Sequence, residues 1–466
     1  MKLIFLLVIL FALLCWSSRN WRRSLYVVFV LLVLEGALRK WVLPQASELV
    51  YFLKDFILFG AYFKYFFLSK NELRVPVRND FVKIFFMLSA VWCFFQSFNP
   101  SLGSIIVGLF GLRGYLFYVP LMWMATNLFR SEDELYRFIR MHLLLLIPVG
   151  ILGMAQFVSP SSSPLNVYAS GEASTAGFVG LENTRITGTF SYIAGYAVFL
   201  IVCFSMLMPV LLRKQSHLWQ GLAVIELVLL IANSFMTGSR SVVFANTIFI
   251  VGYISLSFLT QASLIVNYIK KFAILAIVSF LAASVWFRSA FDAFAARATS
   301  SDSLLERIAD GFAVSQFFVY KQLDGYGTGA THQAVNVIRN VLGLPHGELI
   351  PVGFESEMGR VALELGPFGF VFWYGLRISL IFSLGYVFFK LRDPFLRQLA
   401  LSAFLVHLIQ ISGQLVVNHT FLVYYWFLAS FIFLLPHLER VKDYQKHQQF
   451  VNFNVSTFDL PYSSKR

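Results

Sequence analysis

Residues 189–212 read TFSYIAGYAVFLIVCFSMLMPVLL, 24 positions without a Lys, Arg, Asp or Glu. As an α-helix this stretch is about 36 Å long at 1.5 Å per residue. That exceeds the ~30 Å hydrocarbon core of a bilayer. It lacks the two-residue alternation of a half-buried strand and the polar stripe of a soluble amphipathic helix. A helix that is apolar all round belongs inside a membrane or a large core.

Similar runs recur on both sides, at about 3–16, 25–42, 49–68, 81–97, 104–129, 142–158, 218–236, 242–260, 272–287, 361–388, 399–417 and 421–436. With the first run short, the expectation is 12 or 13 transmembrane helices. Composition agrees: 58% of the 466 residues are apolar, 13% are charged and 52 are Phe. A soluble domain has roughly 45–50% apolar and about 25% charged residues. These figures exclude a soluble enzyme, a disordered chain, a disulfide scaffold and a coiled coil. They also argue against a β-barrel, whose sequence alternates polar and apolar residues. The expected fold class is all-α, one polytopic membrane domain over 1–466 in contact with a lipid bilayer. Residues 2–16 carry one Lys and no small-x-small cleavage site, which reads as a retained helix rather than a cleaved signal. Cys15, Cys93 and Cys203 lie in apolar runs with no metal or disulfide spacing.

The net charge of +13 points to membrane orientation rather than to nucleic acid, since no basic patch interleaved with exposed aromatics occurs. Loops 17–24, 69–80, 130–141, 213–217, 261–271, 389–398 and the tail from 437 hold 21 Lys and Arg. The alternate set (the N-terminus, 38–48, 98–103, 159–188, 237–241, 288–360 and 418–420) holds 11. The positive-inside rule assigns the first set, and the C-terminus, to the cytoplasm. Two loops of the outer set are long, 159–188 and 288–360. In the second, Ser303-Leu304-Leu305-Glu306 reads as a capping box. Leu305, Ile308, Phe312, Val314 and Phe318 follow at roughly helical spacing, which predicts one or two amphipathic helices on the outer surface.

Ionisable residues in or near the membrane are costly and therefore candidate functional sites. Arg113 lies within an apolar run; Arg185, Arg240 and Arg360 stand where outer loops meet helices; Arg39 and Lys40 end the second run on the same side. Guanidinium forks bind phosphate oxygens in bidentate pairs, so this set suits an anionic ligand such as a diphosphate. For any single arginine the alternative is an interfacial snorkel or a local ion pair, as for Arg39 four residues after Glu35. Outer arginines as a group run against the positive-inside rule. Candidate acids and bases are His346, Glu348, Glu355, Glu357 and Glu364, with Glu357 also spaced to pair with Arg360. His332 reads as a loop histidine without a role. No metal spacing occurs and no cofactor is expected. Gly325-Tyr326-Gly327-Thr328-Gly329 lacks the following Lys of a phosphate loop and reads as a turn.

Four pieces stand in a telling order: Arg185-Ile186-Thr187-Gly188-Thr189-Phe190, Ser239-Arg240, Gly325-Tyr326-Gly327, and Glu364-Leu365-Gly366-Pro367-Phe368-Gly369. This order over 185–370 resembles the O-antigen polymerase/ligase superfamily of bacterial surface-polysaccharide assembly. The resemblance implies a GT-C-type inverting glycosyltransferase of the inner membrane. Its partners would be an undecaprenyl-diphosphate-linked oligosaccharide and polysaccharide chain-length or export proteins. Its outer, periplasmic face would carry the glycan-transfer site. Arg185, Arg240 and Arg360, with Arg113 added by the charge argument, would hold the diphosphate. The base stays open among His346, Glu355 and Glu357. The stretch Phe354-Glu355-Ser356-Glu357 departs from the His-Asn pair of the ligases, which favours a polymerase that joins lipid-linked units. A transporter or flippase of a lipid-linked glycan would also need membrane cations, but such folds favour internal repeats and paired broken helices, which the sequence lacks. A non-catalytic assembly partner is the remaining alternative.

Arg185→Ala and Arg240→Ala are each expected to abolish polymer production while the protein keeps its level in the membrane, and Arg39→Ala to be milder. Polymer gels with immunoblots of the membrane fraction test this; normal polymer from both variants would remove the two arginines from the site.

Overall fold

Peptide groups in hydrocarbon have no water to bond to, so a spanning chain is helical or a closed barrel. The computed structural model describes residues 11–69, 74–76, 78–169, 184–260, 312–321 and 323–458, and singly 177, 277, 281, 288, 291, 292 and 295. Among these no strand occurs, and the chain is an all-α, multi-pass membrane protein. Residues 11–17 are helical, and the α-helices after them are, in order, α1 (Trp21–Ala37), α2 (Ser47–Phe63), α3 (Asp80–Gln96), α4 (Ile105–Leu116), α5 (Leu121–Thr126), α6 (Glu132–Leu144), α7 (Leu146–Val158), α8 (Ile193–Leu212), α9 (His217–Met236), α10 (Arg240–Thr260), α11 (Val335–Leu342), α12 (Glu357–Lys390), α13 (Pro394–Ile409), α14 (His419–Ala429) and α15 (Phe431–Phe458).

Seven stretches among the described residues are long and apolar enough to cross a membrane: Ile105–Thr126, Glu132–Val158, Ile193–Leu212, His217–Met236, Arg240–Thr260, Glu357–Lys390 and His419–Gln448. The expected 12 or 13 spans thus divide unevenly. Helices α1, α2 and α3, of 17 residues each, occupy three more of them, and α13 is a shorter apolar helix. The run 272–287 and residues 3–10 of the first run lie outside the described residues, apart from 277 and 281. Helix α6 starts ten residues before the expected boundary at 142, because Ser131 caps it and Glu132, Asp133 and Glu134 fill its first turn. The capping box at 303–306 also lies outside the described residues. Of the predicted amphipathic stretch, residues Ser315–Val319 form a short 3₁₀ turn with Phe317 buried. Among the described residues of this loop the amphipathic helix is α11, which buries Val335 and exposes Val337 and Val341.

Phe81, Phe95, Leu259, Phe382 and Phe389 are all more than half exposed, as lipid-facing side chains are. Glycines set the closest helix approach. A Cβ on Gly369 or Gly375 would meet the rings of Trp92 and Phe85 at 2.5 Å and 2.3 Å, so α12 lies directly against α3.

The turns form two layers. At one end Trp41 donates to Pro164 O (2.9 Å), Asn99 to Gly325 O (3.1 Å), Arg339 to Leu102 O (2.8 Å) and Gln414 to Glu355 O (3.3 Å). At the other, Arg22 donates to Asn127 O (3.3 Å), Arg213 to Asp133 (2.8 Å) and Lys442 to Asp393 (2.5 Å). Among the described residues, the turns joined in the first group come from the loops poor in Lys and Arg, and those in the second lie at the loops rich in them.

Helix α12 is broken at Gly366, whose φ of 66° and ψ of −176° are not helical. Pro367 has no N–H to return to Leu363. The break would strand three carbonyls. Tyr326 N–H bonds Leu363 O (2.7 Å) and Gly327 N–H bonds Glu364 O (2.9 Å). Trp92 Nε1–H bonds Leu365 O at 2.8 Å. The Gly325–Gly329 motif is therefore a turn, and its function is to cap a broken helix. A Cβ on Gly366 would sit 2.4 Å from Leu323 O. Gly366→Ala is expected to cost on the order of 2 kcal/mol from strain at positive φ and loss of these bonds. It should show as a lowered melting temperature of the detergent-solubilised protein.

Candidate functional site

Three side chains of α2 face the bundle on successive turns, Tyr51, Lys54 and Asp55. All three find charged or polar partners from other helices. Asp55 accepts from Arg113 of α4 (Nε to Oδ2 2.9 Å, with a second bond from Nη2) and from the Tyr118 hydroxyl. Lys54 Nζ pairs with Glu35 of α1 at 2.5 Å. Tyr51 hydroxyl meets His419 Nδ1 at 2.6 Å, while Arg113 Nη1 donates to His419 Nε2 at 2.9 Å. Arginine has only donors, so Nε2 is the acceptor and Nδ1 carries the proton toward Tyr51. Arg39, Lys54 and Arg113 all stand about 5 Å from the Tyr51 ring (5.1, 4.9 and 5.0 Å).

The Arg185–Phe190 segment lies beside this cluster. Gln156 of α7 holds it by accepting from Thr187 N (3.1 Å) and Gly188 N (2.8 Å). Lys40 donates to Thr187 Oγ1 (2.6 Å) and Arg39 to Ser191 Oγ (2.9 Å). Arg185 Nε donates to Thr237 O at 2.9 Å, which joins it to the turn that carries Arg240 at the start of α10. Four expected cations, Arg39, Lys40, Arg185 and Arg240, thus share one connected set of loops, with Arg113 reached through Tyr51.

Arg360 and the expected acids stand otherwise. Arg360 is 3% exposed and donates to Thr331 O (2.6 Å) and Thr331 Oγ1 (3.0 Å). Glu364 accepts from Thr331 N (3.0 Å), Thr331 Oγ1 (2.6 Å) and the Tyr115 hydroxyl (2.8 Å). Glu357 accepts from the N–H groups of Leu415 (3.0 Å) and Val416 (2.8 Å), so it and Arg360 turn to different partners. Glu355 and His346 are exposed loop residues. Glu348, also exposed, pairs with Lys321 at 2.6 Å, and this bond lowers its carboxyl below the usual range.

Sequence reading assigned no role to His332 or His419, yet their rings lie 6.4 Å apart. His332 Nδ1 accepts from Ala334 N at 3.1 Å, leaving the proton on Nε2, which is buried and has no protein partner. Burial, then Arg360 and Arg113, push its pKa down to about 4, so at neutral pH it is an uncharged N–H donor. Lys54 and Asp55 carried a signal that reading missed, two opposite charges within the apolar run 49–68. His419 carried none, because nothing local marks the start of α14 as facing Arg113.

At this end of the bundle guanidiniums, ammoniums, an imidazole N–H and a phenol converge, with Glu35 pairing Lys54 and Arg39 and Asp55 pairing Arg113. Such an arrangement can bind an anion and stabilise developing negative charge. Among the described residues no group of three His, Cys, Asp or Glu is arranged to hold a metal ion.

His332 is neutral in the folded chain and charged when unfolded below its ordinary value of 6.5. The unfolded state therefore binds more protons as pH falls, and stability drops between about 6.5 and 4 while staying flat above. His332→Gln is expected to lose part of this acid sensitivity and to match the parent at pH 8, measured as melting temperature against pH.

No family model matches the chain, and no curated protein matches it.

Proposed function

We propose that this protein is a GT-C-like membrane glycosyltransferase of the O-antigen polymerase/ligase kind, working as a polymerase on undecaprenyl-diphosphate-linked glycan units. The observation that carries the proposal is the gathering of Arg113, Arg39, Lys40, the Arg185–Thr237 contact and the His332 Nε2–H at one end of the bundle. A lipid-linked diphosphate is an anion that arrives at that depth, and its departure is the step that needs charge stabilisation. In this reading that end of the bundle faces the periplasm and the tail from 437 faces the cytoplasm, as the loop charges favour.

The reaction joins an acceptor hydroxyl oxygen to the anomeric carbon and breaks the bond from that carbon to the diphosphate oxygen, with inversion. Arg113, Arg185 and Arg240 take the growing negative charge, and the His332 Nε2–H donates to a phosphate oxygen. Arg360 acts behind them by fixing Thr331 beside His332. The acceptor proton goes to a base. Among the three candidates, Glu357 has both neighbouring amides on one oxygen and is 1% exposed. Glu355 is exposed, and its carbonyl is tied by Gln414 to the segment leading into His419. It is the base we assign, ahead of His346.

The deciding experiment is the size distribution of carrier-linked glycans, by mass spectrometry, in a strain lacking this protein. Single repeat units should accumulate. Full-length chains stranded on the carrier would make it a ligase, and unchanged pools would remove glycan transfer altogether. Re-expression of Glu355→Gln should restore the protein but reduce polymer by about 100-fold or more, the scale of a lost general base.

A further inference from the structure

At about 100° per residue, the eight residues of α11, Val335–Leu342, divide cleanly around the helix. Val335, Val337, Ile338, Val341 and Leu342 fall on one arc, and Asn336, Arg339 and Asn340 on the other. A helix of this pattern in a soluble domain turns its apolar arc toward the core. Here the arc is covered at one edge. Val335 is 3% exposed, whereas Val337, Val341 and Leu342 are 53%, 69% and 55% exposed.

The helix is held at the level of the membrane rim. Val335 packs in one cluster with Leu102, in the turn before α4, and with Val107, in the first turn of α4. Both stand at the start of the span Ile105–Thr126. The other end of α11 returns to the same place. Leu344 packs against that cluster, and Arg339 Nη2 donates to Leu102 O at 2.8 Å. A helix tied to one turn at both ends lies across the start of α4 and does not project away from it. The chain just before α11 goes deeper. Thr328 Oγ1 donates to Gly108 O at 2.9 Å, and a Cβ on Gly111 would come within 2.2 Å of Gly329 N. The segment 328–344 therefore dips beside the first two turns of a spanning helix and comes back.

We infer that the exposed arc of α11 is inserted into the lipid leaflet at this end of the bundle. Val337, Val341 and Leu342 lie against acyl chains, and Asn336 and Asn340 turn toward headgroups and water. Amphipathic helices of the membrane interface sink their apolar face about 5–10 Å into the headgroup–acyl boundary. Lipid is the occupant because the arc continues a surface that already faces it. Ile105, Ile106 and Leu109 of α4, at the same level, are 47%, 42% and 48% exposed. The insertion also steadies a neighbour. His332 stands three residues before α11, and its ring meets Phe110 of α4 at 4.8 Å, so the bilayer holds the turn that carries it. The inference is independent of the proposed glycan transfer.

The test is nitroxide accessibility by electron paramagnetic resonance, on the full chain in phosphatidylcholine bilayer discs. Labels go into a Cys15→Ser background, since Cys15 is exposed while Cys93 and Cys203 are buried. Single variants Val337→Cys, Val341→Cys, Asn336→Cys and Asn340→Cys carry the probe at exposed positions, where it displaces no packed side chain. Phe382→Cys, 73% exposed on α12, supplies the lipid-facing reference. Relaxation by molecular oxygen, which partitions into acyl chains, should exceed relaxation by a water-soluble nickel chelate at 337, 341 and 382, with the order reversed at 336 and 340. Stronger relaxation by the nickel chelate at 337 and 341 as well places the arc in water and overturns the insertion. Protection of 337 and 341 from both reagents means that protein covers the arc, a second copy included, and overturns it too.

Discussion

A peptide group stranded in hydrocarbon costs several kcal/mol, and this protein breaks its helices inside the bundle all the same. Two of these breaks among the described residues are answered from elsewhere in the chain. The Gly366 kink in α12 is closed by the turn Tyr326-Gly327 and by Trp92. The irregular segment 410–418 between α13 and α14 is closed by charged side chains. Glu357 takes the N–H groups of Leu415 and Val416, and Arg377 donates to Gln410 O at 2.6 Å. The same α12 thus both creates an exposed carbonyl problem and supplies charges that solve a neighbouring one.

These repairs set the geometry of the candidate site. His419 is the first residue after the segment that Glu357 and Arg377 hold. His332 follows the turn that caps the kink, and Arg360 and Glu364 fix Thr331 just before it. The two histidines meet because two irregular segments are pinned to one helix. Several ionisable residues of α12 are therefore structural in their contacts.

The expectation of a turn at 325–329 agrees with the fold, for a reason invisible in the motif itself: its amides are needed by α12, far along the chain. Arg39, Lys40 and Arg185 share the loop 184–191. Arg360 shows where the reading was incomplete. In sequence it resembles the other loop-end arginines; in the fold it is 3% exposed and holds a carbonyl. Charge and position along the chain report that an arginine is near the membrane surface, but not which way its guanidinium turns.

The sequence by itself determined that the chain is helical and spans a membrane, because hydropathy over some 20 residues is a sum that needs no partners. It also carries an expectation of which turns share a side, since Lys and Arg counts are local. Tertiary structure alone decided that Tyr51, Asp55, Arg113, His332 and His419 meet. Residues as far apart as 51 and 419 become neighbours through helix packing, and the hydrogen bonds that orient them depend on which breaks in the backbone need filling.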